Sequence, residues 1–363
     1  MRIIHVFRGA VGGLFRHVCD QVEGQAAAGH EIGIICDSLT GGASALEKFA
    51  QLAPYCNLGI ERLAMLTLPS LSDLRVIAQT MAMAKRVDAD ILHGHGAKGG
   101  LYARLTARRL GLASAYVPHG GSLHYEWRSL KGAIFLSAEK ALRVERSGLI
   151  FVCEFERNLF ARKIGLGACP SAVIYNGLGP NDFKARALSP HATDFLFVGE
   201  MRVIKGIDIL LRAVAQIEPD QRPTLTLIGE GPQEVEFKAL AGALGITAQV
   251  TFAGRKPMAE AMRMGRVLVV PSRRESFPYV VIEAMAAGIP LIAANVGGIV
   301  EALPIDRLVP ADDVAALAAR LITEKRGGPD GRGGAEKLRH MALERFSVKR
   351  MVSDTLAFYE RLI

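Results

Sequence analysis

Residues 271–300 read PSRRESFPYVVIEAMAAGIPLIAANVGGIV. From Tyr279 to Val300 the segment is nearly all apolar and long enough to suggest a membrane span. Glu283, Pro290, Asn295 and three glycines interrupt it, and charged or helix-breaking residues inside a span are costly. The same residues divide it into two elements. PYVVIEAMAAG reads as a helix with Pro278 at its start, and IPLIAAN as a short buried strand. A strand that is apolar throughout belongs to a parallel sheet covered on both faces. No transmembrane helix is predicted.

The alternation of short apolar strand and longer helix extends in both directions. Upstream candidates are residues 2–7, 31–36, 89–95, 114–119, 148–153 and 171–176. A second series covers 194–199, 224–229, 249–254, 266–271, 289–294 and 306–310. Two such series predict an α/β protein with two doubly wound domains. The stretch from Gly177 to Thr193 is rich in Gly, Pro and polar residues and reads as a linker. The predicted domains are 1–185, with the terminal helix 347–363 returning to it, and 186–346. RGGPDGRGG (326–334) reads as an exposed loop.

The 363 residues are 50% apolar, 22% charged and 6% aromatic, the composition of a compact core-forming protein rather than a disordered one. The 38 glycines show no G-X-Y period, which excludes collagen and assigns them to turns and close backbone approaches. Five cysteines, an odd number with no C-x2-C pair, argue against a disulfide framework or a structural zinc site. They also favour a reducing compartment. Met1-Arg2 leads directly into Ile3, Ile4, Val6 and Phe7 without a signal-peptide pattern, which predicts a cytoplasmic chain. The net charge is +8, of which residues 1–185 carry +6 (21 basic minus 15 acidic). A basic first half suits an anionic partner, either a phosphorylated substrate or an acidic membrane. Nucleic acid is the least favoured partner: there is one Trp and no recognised motif.

In open α/β sheets ligands lie beyond the carboxyl ends of strands, so the loops after strands carry the chemistry. Gly12 and Gly13 follow the first strand and open a helix; they form either a tight turn or an anion seat. His93, His95 and His119 all lie at strand ends. His93 and His95 share one face, but no third metal ligand is evident in the sequence, so no metal is predicted and core histidines are the alternative. Arg202 and Lys205 precede a helix, where cations oppose the dipole. That placement suits a bound diphosphate, or else marks solvated surface. Glu275 lies in a loop and Glu283 in the helix after Pro278. The pair can accept hydrogen bonds from sugar hydroxyls, can act as a hydrolytic acid/base pair, or can simply belong to a capped helix.

The spacing of Glu275 and Glu283 followed by EAMAAGIP resembles the retaining glycosyltransferases of family 4. In the same order as in that family come the GG loop, HGH, PHG, YNG (175–177), VGE…KG and IGEGP (228–232), so the resemblance covers nearly the whole chain. It implies the GT-B architecture of two Rossmann-like domains around a cleft, with the final helix crossing back to the first. It also implies a donor nucleoside-diphosphate sugar, a UDP- or GDP-sugar, held mainly by the second domain. Lys205 matches the diphosphate-binding lysine, Glu283 the residue on the ribose hydroxyls, and Glu275 the residue on the donor sugar. Gly13, beside Gly12, matches the glycine near the phosphate. His119 matches a histidine near the reacting carbon, and Arg255 with Lys256 fall where the base is held. Two departures stand out. Glu200 occupies the usual position of the phosphate arginine, so Arg202 takes that role. Pro278 replaces a common glycine and removes one amide donor, leaving the Ser276 and Phe277 amides for phosphate.

The implied activity is transfer of a sugar to a sugar or lipid-linked acceptor in surface polysaccharide or glycolipid assembly, at the inner face of the membrane and without a cofactor. A nucleotide-sugar 2-epimerase and a weakly active sugar-nucleotide-binding subunit are the alternatives. The segment 129–146, with Lys131, Lys140, Arg143 and Arg146 beside Ile134, Phe135 and Leu136, is the expected membrane-facing helix.

Overall fold

A computed structural model describes residues 1–143, 146–184, 187–327 and 331–363. The chain divides into two compact units, Met1–Gly177 with Val348–Ile363, and Leu178–Ser347. The boundary anticipated at 185/186 and the centre of the anticipated 326–334 loop lie outside the described residues.

The first unit contains strands β1 (Arg2–Phe7), β2 (Glu31–Asp37), β3 (Gly59–Leu63), β4 (Ile91–His95), β5 (Ala113–Val117), β6 (Ser147–Phe151) and β7 (Ser171–Val173). They form one sheet in the order β3-β2-β1-β4-β5-β6-β7, and the pairs are parallel. Ile4, Val6, Ile35 and Leu92 pack with Tyr102 of the helix Gly96–Leu110 in one core cluster. β3 was not anticipated. It is the edge strand, and its sequence GIERL is half-buried with two charges, as suits an edge. The terminal helix Val348–Glu360 packs on the helix Gly12–Ala27. Gly24 marks the closest approach, where a β-carbon would overlap Val352.

The second unit contains β8 (Thr193–Val198), β9 (Leu225–Ile228), β10 (Val250–Phe252), β11 (Gly265–Val270), β12 (Leu291–Ala294) and β13 (Leu308–Val309). The order is β10-β9-β8-β11-β12-β13, again with parallel pairs. The stretch from Tyr279 to Val300 is not a span: it folds as the helix Tyr279–Ala286 followed by β12. Seven residues of that helix are buried, Glu283 among them, which explains why it reads as hydrophobic all round. No described helix is long and apolar enough to cross a membrane.

Both units are therefore doubly wound α/β sheets. In the first the strand order reverses between β1 and β4, and in the second between β8 and β11. Such switch points are where open α/β sheets bind ligands. The loops that leave them carry Gly12 and Gly13 in one unit, and Arg202, Lys205 and Glu275 in the other.

Candidate active site

In the second unit the loop after β8 and the loop after β11 meet. Lys205 Nζ lies 2.7 Å from Glu275 Oε1, and Ser272 Oγ donates to the same oxygen at 2.7 Å. The Glu275 side chain is 11% exposed and that of Lys205 27%, so the pair is shielded without being sealed. An ammonium has three donors, and only one is needed by Glu275. The pair thus presents a cation toward solvent from a fixed position beside a carboxylate acceptor.

Two devices hold this geometry. Gly206 adopts φ +70, and a β-carbon there would overlap the Pro271 carbonyl oxygen. Only glycine lets the β8 loop approach the end of β11 so closely. Gly206→Ala is expected to cost at least about 1–2 kcal/mol from the left-handed conformation alone, and to weaken ligand binding by moving Lys205. Thermal denaturation with a binding titration checks this; an unchanged midpoint and affinity would contradict it. The second device is Arg273, which the sequence reading did not single out. Its guanidinium forks onto Asp208 with two contacts of 2.7 Å and reaches Asp312 at 2.6 Å. Its backbone amide donates to Ile204 O at 2.8 Å. Burial alone would raise the Asp208 carboxyl, but the Arg273 hydrogen bonds, the Arg273 charge and two backbone hydrogen bonds together outweigh it and hold that carboxyl below its usual range.

Glu283 is 5% exposed on the helix Tyr279–Ala286. Phe277 is buried against Phe346, ring centroids 5.3 Å apart, and Ser276 O accepts from the Gly298 amide at 2.8 Å. Arg202 is exposed, its Nη1 3.6 Å from Glu200 Oε2. Arg255 is exposed in the loop after β10, and Lys256 pairs with Glu260 at 3.0 Å.

In the first unit, Gly12 (φ +64) and Gly13 are exposed and begin the helix Gly12–Ala27, whose N-terminus no side chain caps among the described residues. His119 is half-buried, with φ +50 that is unusual for a side-chain-bearing residue. The sequence shows no third ligand beside His93 and His95, but the fold brings other histidines to them. His5 and His17 join them and His119, giving five histidines linked ring to ring. Burial pushes His5 and His17 down to about 4 and His93, His95 and His119 well below the usual histidine value, so the rings are neutral at pH 7.

Neutrality fixes the direction of the hydrogen bonds. Gln25 Nε2 donates to Gln21 Oε1 at 2.9 Å, so Gln25 Oε1 must accept from His5 Nε2, also at 2.9 Å. His5 Nδ1 then accepts from His95 Nε2 at 3.0 Å, and His95 Nδ1 accepts from His119 Nε2 at 3.3 Å. Gln21 passes the chain on to Thr355 Oγ1 at 2.9 Å, in the terminal helix. A directed polar chain therefore runs from the His119 loop to the C-terminal helix. His5, Gln21 and Gln25 are invisible to periodicity, because single polar residues on buried strand and helix faces read as exceptions.

Residues 11–181 match the family Glycosyltransferase Family 4, and residues 192–323 match Glycosyl transferases group 1. A D-inositol 3-phosphate glycosyltransferase of Streptomyces scabiei is 30% identical over 92% of this chain and 83% of its own length. A Corynebacterium kroppenstedtii protein of the same name is 40% identical, but over only 30% of this chain and 27% of its own. The chain thus spans about a quarter of that relative's length. The crystal structure of Anabaena HepE in complex with UDP has the same fold, with a TM-score of 0.81 over 99% of this chain and all of that one, at 19% identity. With two family matches and a relative that aligns over most of both chains in agreement, the chain belongs to glycosyltransferase family 4, the glycosyl transferases of group 1.

Proposed function

We propose that this chain is a retaining glycosyltransferase. It moves a sugar from a nucleoside-diphosphate sugar, a UDP- or GDP-sugar, to a hydroxyl of a sugar or lipid-linked acceptor in cell-surface polysaccharide or glycolipid assembly. The observation that carries this reading is the Lys205–Glu275–Ser272 constellation at the second switch point. A diphosphate fits its cation and a sugar hydroxyl fits its carboxylate. Lys205 and Arg202 stabilise charge on the departing diphosphate. Glu275 accepts from the donor sugar, and Glu283 from the ribose hydroxyls. The Ser276 and Phe277 amides face phosphate, and Arg255 with Lys256 flank the base. In the first unit, Gly12, Gly13 and His119 serve the phosphate and the sugar. The acceptor hydroxyl attacks from the face the diphosphate leaves, and a phosphate oxygen takes its proton, so no protein nucleophile is required. The relatives' name specifies a phosphorylated polyol, a chemistry that the basic first half of this chain also suits.

Incubating the chain with a UDP- or GDP-sugar, with and without acceptor, tests the reading. Transfer with the donor's anomeric configuration kept, followed by NMR, is expected. Interconversion of the donor at C2 without acceptor would instead identify an epimerase.

A membrane-facing surface is part of the proposal, in altered form. The expected helix 129–146 is shorter, Leu130–Ala141, capped by the Ser129 hydroxyl. Leu136 is buried in the core, and Arg146 lies beyond the helix, bonding Gly111 O. The exposed apolar residues are Trp127 (42%), Leu130 (80%) and Ile134 (51%), beside exposed Lys131 and Lys140. Each surface lysine contributes about 1 kcal/mol near an anionic leaflet. Lys131→Gln with Lys140→Gln is therefore expected to weaken binding to phosphatidylglycerol vesicles about 30-fold. Equal cosedimentation of variant and wild type would contradict it.

A further inference from the structure

We propose that His17, His95 and His119 form a binding site for a divalent transition-metal ion, with Zn2+ the best fit. One ring nitrogen from each lies within 4.8 Å of the others. The 3.3 Å between His95 Nδ1 and His119 Nε2 is about the edge of a tetrahedron with Zn–N bonds of about 2.0–2.1 Å. Imidazole nitrogen is a preferred zinc ligand, and three histidines with a fourth position open is a known zinc coordination.

The orientation of the rings supports this. Asn176 Oδ1 can only accept, so His17 Nδ1 donates to it at 3.0 Å. The neutral His17 ring then carries its lone pair on Nε2. That nitrogen is buried and has no hydrogen-bond partner among the described residues. A buried acceptor left unsatisfied calls for a partner. His95 donates its other ring N–H to His5 Nδ1. Two of the three ligands thus have the outer-shell hydrogen bond that fixes metal-binding histidines. His119 is half-buried, which leaves an entry path and room for a fourth ligand. On binding, the His119 proton leaves Nε2 and one is taken up at Nδ1 by exchange with water, so all three ligands stay neutral and no net proton is released.

His5, His93 and His95 are a second possible triplet. All three are fully buried, which leaves an ion no entry path, and their His5 Nδ1–His95 Nε2 hydrogen bond, at 3.0 Å, is shorter than the 3.3 Å one an ion would replace between His95 and His119. The shallower triplet is therefore the site.

The test uses the untagged full chain, stripped with chelator and titrated with Co2+ without nucleotide, so that its failure is separable from failure of the transferase reading. One Co2+ per chain with the visible spectrum of four-coordinate cobalt is expected, displaced by one equivalent of Zn2+. His17→Ala and His119→Ala abolish the spectrum, and Asn176→Ala weakens affinity about 10–100-fold. His340→Ala, at an exposed position in the other unit, leaves it unchanged. If His17→Ala fails to fold, His119→Ala, at the half-buried ring, still decides. No cobalt spectrum in the wild type, or a spectrum retained in His119→Ala, would overturn the proposal. So would its loss in His93→Gln with retention in His119→Ala, which would place the ion in the deeper triplet.

Discussion

Lys205→Ala is expected to lower kcat about 10²–10³-fold, the cost of removing one pre-positioned group that stabilises developing charge in a transition state. The loss has a second component. Without the ammonium 2.7 Å away, the mostly buried Glu275 carboxylate stands uncompensated beside the incoming diphosphate, so KM should rise as well. Glu275→Gln, which keeps the shape and removes the charge, separates the two components: in the Lys205→Ala background it should lower KM again while leaving kcat depressed. Steady-state release of nucleoside diphosphate measures both constants. An unchanged kcat in Lys205→Ala would remove this residue from the reaction.

The largest expected stability effect lies in the first unit. Arg104 and Glu139 are 1% and 3% exposed and paired at 2.7 Å. Glu139 also accepts from the Tyr116 hydroxyl at 2.7 Å and from Ser122 Oγ at 2.8 Å, while Arg104 stacks 3.9 Å from the Tyr116 ring centroid. Replacing one partner of a buried pair leaves a charge without compensation, at a cost of about 3–5 kcal/mol. Arg104→Met is expected to lower the melting temperature by about 6–20 °C, at about 2–4 °C per kcal/mol for a unit of this size. Adding Glu139→Gln removes the stranded charge but keeps an oxygen for Tyr116 and Ser122, so the double variant should recover a large part of the loss. Calorimetric melting of the two variants decides; equal melting temperatures would mean that the charge is not what destabilises Arg104→Met. Because Glu139 lies on the helix Leu130–Ala141, this pair also anchors the surface proposed to face the membrane.

The sheets were legible because buried parallel strands are continuously apolar and punctuated by glycine and proline, as at β11, Pro271 and β12. β3 was not, because an edge strand carrying Glu61 and Arg62 lacks that signal. The helix from Leu130 was read too long because ALRVER contains no Gly or Pro to mark its end. Lys205, Glu275 and Glu283 stood out through motif spacing. Arg273 did not, although it lies within the quoted segment: its partner Asp208 is 65 positions away, and nothing local identifies which acid a base will meet. His5 and His17 were missed for a related reason. His5 meets His93 through the register of two parallel strands, and strand register is not readable from either strand alone.

The central claim, that the second unit holds a nucleoside diphosphate through Lys205 and Glu283, is tested most directly by calorimetric titration of UDP and GDP into wild type, Lys205→Ala and Glu283→Ala, with uridine and guanosine in parallel. The wild type should bind one of the two diphosphates at one per chain. Lys205→Ala should weaken the diphosphate at least tenfold while sparing the nucleoside, and Glu283→Ala should weaken both. Affinities in the two variants equal to that of the wild type would contradict the account.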